Sequence, residues 1–307
     1  MAFNPLRPIA DRTPAPLDGI VELGASAIDD TAALVDTLTG GGLPGDDIGA
    51  WDPDHIRRTL PLNRALTRAY FRAEVTGLDN IPADGPALLV GNHSGGTMIA
   101  DTFAFAYEFY AHFGPDRRFH QLAHDIAARM PGFGMLRRYG TLAASHENAK
   151  KAFAAGAPVL VYPGGDWETF RPSWHSDRIE FGGRKGFIKL ALDEGVPIVP
   201  VVAIGGQETA LFLTRGRRVA KLLGFDRLTR IKVLPVSVGP PFGLNVLDLP
   251  PRLPLPAKIK VDVLPPIDLR ERFGPDPDPD DVYDEVTGEM QESLSDLSDE
   301  RGVPILG

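Results

Sequence analysis

Residues 86–101, Pro-Ala-Leu-Leu-Val-Gly-Asn-His-Ser-Gly-Gly-Thr-Met-Ile-Ala-Asp, constrain the fold of this chain more than any other stretch. Ala87 to Val90 is a short apolar run without polar alternation, the pattern of a buried strand. Gly91 breaks the run, and Asn92, His93 and Ser94 fall where the carboxyl end of that strand should meet a following helix. In an open α/β sheet, ligands bind at that junction. An imidazole placed there, with a carboxylate downstream at Asp101, is a candidate general base with its orienting partner. Histidine exchanges a proton near neutral pH, and one ring nitrogen must be held by a hydrogen bond while the other does the chemistry.

The same logic recurs downstream. Pro158 to Val161 is a second apolar run, ending in Tyr162, Pro163, Gly164 and Gly165, with Asp166, Trp167 and Glu168 at the mouth of the turn. Glycines at such a turn let backbone N–H groups approach a ligand closely. Val196 to Ile204 reads as another buried strand, and its prolines fit strand ends better than a central ladder. Short strands are expected at 73–78, 141–144 and 258–264, and helices at 102–113, 147–155 and 187–194, the last two stopped by Gly156 and Gly195. The aromatic 102–113 segment suits a core helix or the wall of an acyl pocket. Strands alternating with helices predict an α/β fold, a single layered domain with a mostly parallel central sheet flanked by helices.

Residues 1–50 read as an N-terminal appendage, Pro-rich at first and helical from Leu17 to Leu38. Residues 51–275 form the α/β domain, within which Pro235 to Pro256 reads as loops. Residues 276–307 form an acidic linker and an amphipathic helix that places Val282, Val286, Met290, Leu294 and Leu297 on one side.

Composition removes several functions. A formal net charge of -9 speaks against a nucleic-acid partner. The absence of cysteine removes disulfides, thiolate nucleophiles and thiolate metal sites. No leader-like segment opens the chain, and no stretch nears the ~18 apolar residues of a membrane span, so an intracellular protein is expected. Against the acidic background, residues 52–73 carry Arg57, Arg58, Arg64, Arg68 and Arg72 among Ile56, Leu60, Leu62, Leu66, Tyr70 and Phe71, and a second basic patch holds Arg215, Arg217, Arg218 and Lys221. Both are candidate contacts with a membrane surface; the plainer reading of the first is a solvated helix face beside the core. His120 and His124 are spaced to share a helix face, but no His-Glu-x-x-His pattern supports zinc there. No Gly-x-Ser-x-Gly elbow of a serine hydrolase occurs, and Gly183-Arg-Lys-Gly186 lacks the spacing of a phosphate-binding loop.

Taken together and in order, these blocks resemble the phospholipid and glycerol acyltransferase family, with its lysophospholipid acyltransferase-like fold, over roughly residues 60–300. His93 with Asp101 resembles the family's first block, usually His, four residues, Asp; Pro131 to Gly140 is similar to the second. Tyr162-Pro-Gly-Gly-Asp-Trp-Glu168 resembles the Pro-Gly-Gly-x-x-Glu variant of the third, found in the monoacylglycerol and diacylglycerol acyltransferase-like branch, and Val196-Pro-Ile-Val-Pro-Val is similar to the fourth. The resemblance implies a glycerol-phosphate-acyltransferase-like fold. It implies transfer of a fatty acyl group from a thioester donor, acyl-CoA or acyl-ACP, to a hydroxyl of a glycerolipid or lysophospholipid, with His93 as base and Asp101 as its partner.

Asn92, Ser94, Gly95, Gly96, Pro163, Gly164 and Gly165 would then line the substrate site, with glycine N–H groups around the oxyanion, and Glu168, Arg171, Arg184 and Lys185 would contact acceptor or donor. Neither a cofactor nor a metal is expected. The expected partners are the thioester, an amphiphilic acceptor and a membrane surface, on the cytoplasmic face and without a spanning helix. Two departures stand out. Seven residues separate His93 from Asp101, ~12 Å along a straight helix, so the pair requires Ser94, Gly95 and Gly96 to loop before a helix that begins near Thr97. Thr141 to Ser145 stands where the second block usually ends in arginine, which favours an acceptor less anionic than glycerol-3-phosphate. The stretched spacing is also the best argument for the alternative, a non-catalytic membrane-docked lipid-binding protein that keeps the fold.

Overall fold

The apolar runs lie side by side in space. The computed structural model describes residues 47–124, 133–216, 233–241, 243–246, 248 and 252–301. In it, Leu88–Gly91 (β2) pairs in parallel with Val159–Val161 (β5) on one side and with Ile198–Ile204 (β6) on the other. Beyond β5 the sheet continues through His120–Ala123 (β3) to Thr141–Ala143 (β4). Beyond β6 it continues through Lys260–Val263 (β10) to Glu74–Thr76 (β1), giving the order β1-β10-β6-β2-β5-β3-β4. Only the β10–β6 pair is antiparallel. The helix expected over 17–38 lies outside the described residues.

Helices cover both faces. Pro53–Phe71 (α1) starts where the Asp52 carboxylate accepts the N–H of His55, with Pro53 in its first turn. Together with Ala100–Phe113 (α2) it packs Ile56, Leu60, Phe105 and Phe109 against Leu89, Leu160 and Val199. His146–Ala154 (α4), Gly186–Glu194 (α6) and Pro279–Glu300 (α8) bring Ala152, Ile188, Val286 and Met290 to Leu88, Val90 and Val202 on the other side. Successive β2 side chains therefore enter opposite layers, and both layers are apolar, which explains the unbroken run in the sequence. Phe133–Arg138 (α3), Gly165–Thr169 (α5) and Leu269–Phe273 (α7) are short connecting helices.

Four expectations are corrected. Pro200 lies inside an interior strand, opposite Val90. It is tolerated because its carbonyl, and hence its missing donor, faces the β10 side, where only Leu264 N–H reaches it at 2.9 Å and the ladder then ends at Pro265 and Pro266. The Pro-rich stretch read as loops contains Val236–Gly239 (β8) and Gly243–Val246 (β9), which join Leu211–Thr214 (β7) in a separate antiparallel sheet. His120 is on β3, not on a helix: its Nδ1 lies 2.9 Å from the Gly140 carbonyl, and burial pushes its imidazole down to about 4. Finally, α8 belongs to the domain core rather than to a segment beyond it.

Three of the α1 arginines are paired with carboxylates of neighbouring segments. Arg64 and Arg68 both grip the Glu108 carboxylate of α2 at 2.7–3.0 Å, and Arg57 pairs with Asp116 at 2.8 Å. That supports the plain reading of the basic segment, in which its charge ties α1 to its neighbours.

Candidate active site

The last residue of β2 is a glycine with reason: any side chain at Gly91 would strike Tyr162, whose Cε1 lies 2.6 Å from the position a Cβ would take. Asn92 then extends the sheet with its side chain. Its Nδ2 donates to the Ala203 carbonyl at 2.8 Å and its Oδ1 accepts the Ala203 N–H at 2.7 Å, so this buried amide anchors the strand end to β6. Its polar atoms face the protein rather than a substrate.

His93 follows, with its backbone clamped on both sides. Its N–H donates to Glu168 Oε2 at 2.9 Å, and its carbonyl accepts from Arg171 Nη1 at 2.8 Å. The imidazole stacks on the Tyr162 ring, with centroids 4.3 Å apart and planes inclined by 19°. Nδ1 is buried and faces Asp101 Oδ2 at 3.8 Å, with no hydrogen-bond partner among the described residues. The side chain remains 15% exposed, so its open surface lies elsewhere on the ring.

The loop required by the long spacing is present. Gly95 and Gly96 take φ of +87° and +65°, a region open to glycine at little cost. α2 begins at Ala100, three residues later than expected, which puts Asp101 in its first turn. Asp101 Oδ2 accepts from the Ser94 N–H at 3.1 Å and the Ser94 hydroxyl at 3.0 Å, while Oδ1 accepts from the Thr102 N–H at 2.8 Å. The carboxylate thus closes the turn and is carried beside the imidazole by doing so.

The turn is also held from outside. Gly96 N–H donates to the Thr169 carbonyl at 3.2 Å, Gly95 N–H to Gln207 Oε1 at 3.2 Å, and Thr97 N–H to Asp248 Oδ2 at 2.8 Å. Arg252 binds Asp248 through Nε at 2.7 Å and the Gly95 carbonyl through Nη2 at 3.0 Å, and both side chains are buried. Gln207, Asp248 and Arg252 escape sequence reasoning; the one trace is an acid and an arginine four residues apart in a Pro-rich stretch. Because Gly95, Gly96 and Gly165 all donate their N–H groups within the protein, they are not available as the expected oxyanion donors.

Glu168 and Arg171, expected to touch substrate, are almost wholly buried behind His93. Glu168 Oε1 accepts the Glu180 N–H at 2.8 Å and lies 3.8 Å from Arg171 Nη1. Burial pushes the Glu168 carboxyl up to about 7, against the pull of the Arg171 guanidinium and the His93 N–H toward the ionised form. Arg171 also caps the carbonyls of His175 and Ser176 at 2.9 and 3.2 Å. Arg184 braces the glycine turn through the Pro163 and Gly164 carbonyls at 3.1 and 2.7 Å and through Asp166 at 3.0 Å. Lys185 pairs with Asp280 of α8. Tyr162 completes the cluster: its hydroxyl is 2.7 Å from Thr102 Oγ1, and burial holds its phenol well above the ordinary range, in the protonated form.

The cluster presents one partly open imidazole, backed by a buried carboxylate on Nδ1 and fixed by an aromatic face and a two-sided backbone clamp. Chemically this is an arrangement for taking and returning a proton. Among the described residues, no group of three or more potential ligands could hold a metal ion.

A family model described as acyltransferase matches residues 72–204. An uncharacterized protein of Mycobacterium tuberculosis (strain ATCC 25618 / H37Rv) is 30% identical over 252 residues, covering 81% of this chain and 67% of that protein. A human protein described as "DGAT1/2-independent enzyme synthesizing storage lipids" is 32% identical over 129 residues, 42% of this chain and 38% of that protein. Among solved structures, the 1-acyl-sn-glycerophosphate (LPA) acyltransferase PlsC from Thermotoga maritima aligns with a TM-score of 0.49 at 16% identity, covering 80% of this chain and 82% of that one.

Proposed function

Because this chain belongs to the phospholipid and glycerolipid acyltransferase family, we propose that it moves a fatty acyl group from a thioester, acyl-CoA or acyl-ACP, to a hydroxyl of a glycerolipid or lysophospholipid, with His93 as general base. The observation that carries this reading is the juxtaposition of His93 and Asp101 across the Ser94–Gly96 turn, which meets the demand made by their separation in sequence.

In this mechanism Nδ1–H points to Asp101, and Nε2 takes the proton of the acceptor hydroxyl as its oxygen attacks the thioester carbonyl. The C–O bond forms, the C–S bond breaks, and the departing thiolate recovers the proton from the imidazolium. No covalent enzyme intermediate is required. At 3.8 Å the two groups are an ion pair rather than a hydrogen bond, close enough for the Asp101 carboxylate to stabilise the imidazolium that forms when His93 takes the proton. Glu168 and Arg171 hold the His93 backbone and thereby aim the ring. The acceptor and donor are amphiphilic, which places the proposed reaction at a membrane surface; among the described residues no helix is long and apolar enough to cross a membrane.

The test is thioester-dependent acyl transfer, followed by thiol release and by mass of the acylated product, for wild type and His93→Gln. A loss of roughly 10²–10⁴-fold in kcat is expected. Equal rates in the two proteins, or acceptor-independent thiol release, would remove His93 from the chemistry.

A further inference from the structure

The C-terminal end of α8 carries a charged contact that the site described above does not use. Arg301, the residue that caps the helix, is only 5% exposed, and its Nη2 donates to Glu208 Oε1 at 2.5 Å. Glu208 sits in the short 3₁₀ turn Gly206–Thr209 that follows β6, with its side chain 11% exposed.

That turn forms the back wall of the His93 loop. A Cβ on Gly206 would strike Ser94 Oγ, and one on Gly95 would lie 2.8 Å from the Gly206 carbonyl oxygen, so the two backbones are in direct contact. Gln207, almost wholly buried, accepts the Gly95 N–H on Oε1 and donates through Nε2 to the Arg171 carbonyl. Arg171 in turn donates to the His93 carbonyl at 2.8 Å. Burial pulls the Arg171 guanidinium toward its neutral form, and the carboxylates of Glu168 and then Glu208 oppose that pull most strongly. Arg301, Glu208, Arg171 and Glu168 thus make a series of alternating charge that runs from the end of α8 to the His93 backbone.

Stability is a poor reason for such a pair. Withdrawing two charges from water offsets most of their attraction, and an apolar pair of similar volume often packs as well or better. Arg301 Nη1 and Glu208 Oε2 are also buried with no hydrogen-bond partner among the described residues, which adds to the cost. What the pair supplies is direction, because the rigid fork of a guanidinium holds a carboxylate oxygen in one place.

We propose that Glu208 and Arg301 are positioning residues for His93. By tying the Gly206–Thr209 turn to α8 they hold Gln207 against Gly95 and Arg171 against the His93 carbonyl, which keeps the imidazole facing Asp101. The role rests on the acyl-transfer reading, in which a ring misplaced by about 1 Å loses roughly 10²-fold in rate.

Variants of the full chain test the link. Glu208→Ala and Arg301→Met break it, whereas Glu208→Gln leaves an amide oxygen for Arg301 and keeps the contact without the charge. Thiol release and product mass, measured at a temperature where thermal unfolding shows each variant folded, should give kcat lowered roughly 10–10²-fold in both breaking variants at a nearly unchanged KM. Glu208→Gln should stay within about threefold of wild type. The double variant Glu208→Ala, Arg301→Met should lose no more activity than the worse single variant, since the same interaction is removed in each. The double variant leaves no unpaired charge, so backbone amide exchange on it reads the link without substrate. Its gain in exchange rate at Gly95 should exceed that at Leu89 and Val90 of β2 at least about tenfold, whereas a pair that served stability alone would speed all three amides alike. Unchanged kcat in the breaking variants, equal losses in Glu208→Gln and Glu208→Ala, or equal acceleration at Gly95 and β2 would overturn the proposal. A wild type that transfers no acyl group would remove the acyl-transfer reading, and the Gly95 amide would still decide whether the pair holds the turn.

Discussion

Asp101 has two tasks at once, and its substitution separates them. One oxygen receives both donors of Ser94 and the other receives the Thr102 N–H, so the carboxylate shapes the turn as well as facing His93. Asp101→Asn keeps the size but replaces one acceptor with a donor, leaving a buried N–H group unsatisfied at a cost of about 1–3 kcal/mol. If Asp101 also orients the imidazole, kcat should fall by roughly 10²–10⁴-fold while KM changes little. A purely structural carboxylate would show the stability loss without a kcat loss of that size. Glu168 carries the pH dependence of the clamp. Its folded value of about 7 lies above the ordinary carboxylate value, so the folded state binds the proton more tightly than the unfolded state does. Its contribution to stability is present in full below about 4.5 and is lost as pH rises toward 7, by roughly 3 kcal/mol over that window. His120 opposes it, since its depressed value near 4 removes stability as pH falls from about 6.5. Wild type should therefore melt almost independently of pH between 5 and 6.5. Glu168→Gln should become more stable with rising pH over the same range, measured by thermal unfolding in a pH series; a flat profile for the variant would contradict the assignment.

At the scale of the element, the Ser94–Gly96 turn decides whether the site exists. A Cβ on Gly96 would lie 2.0 Å from Asp248 Oδ2 and 2.8 Å from Phe212 Cζ, at a φ that side chains rarely adopt. Gly96→Ala is therefore expected to cost more than about 2 kcal/mol and to cut activity along with stability, whereas Gly85→Ala, equally positive in φ but facing open space, should cost about 1 kcal/mol and leave activity intact. Urea unfolding and thiol release on the two variants would check both. This turn also marks how far the sequence could be read. The strand, the histidine, the glycines and the need for a loop all follow from local pattern, because a buried parallel strand is continuously apolar and only glycine relieves the strain of such a reversal. The groups that hold the loop do not. Gln207, Asp248 and Arg252 reach it from 112, 151 and 157 residues away, through contacts that no local periodicity records. Glu168 and Arg171 are legible as site residues from their motif, but charged side chains beside a glycine turn read equally well as substrate contacts. Only their burial shows that they face the His93 backbone.

Among the described residues, the layer structure extends through α8, whose apolar side shares a core with the central sheet. Read along the chain, the aspartates and prolines at 276–281 look like a boundary, because a run of acid and proline cannot build a core. In space the run is a helix start: Asp278 accepts the Asp280 N–H at 2.8 Å and Pro279 occupies the first turn of α8. From there Val282, Val286, Met290 and Leu294 each lose all exposure within the same cluster as Leu88 and Val90 of the strand that leads to His93. Polar links reinforce the docking: Gln291 Oε1 accepts the Ile179 N–H at 2.9 Å, and the Tyr283 hydroxyl accepts the Gly183 N–H at 3.1 Å. Both acceptors bind the connection between Glu168 and α6, so the helix steadies the segment that carries Glu180, itself a donor to Glu168. Met290→Ala should thus cost about 2–5 kcal/mol, the price of a core cavity rather than of a surface change. It should lower the midpoint of a single urea transition without splitting that transition in two. If α8 were an independent appendage, the same substitution would leave the transition of the remaining chain where it was, and a far-UV signal for helix loss would appear separately at lower urea.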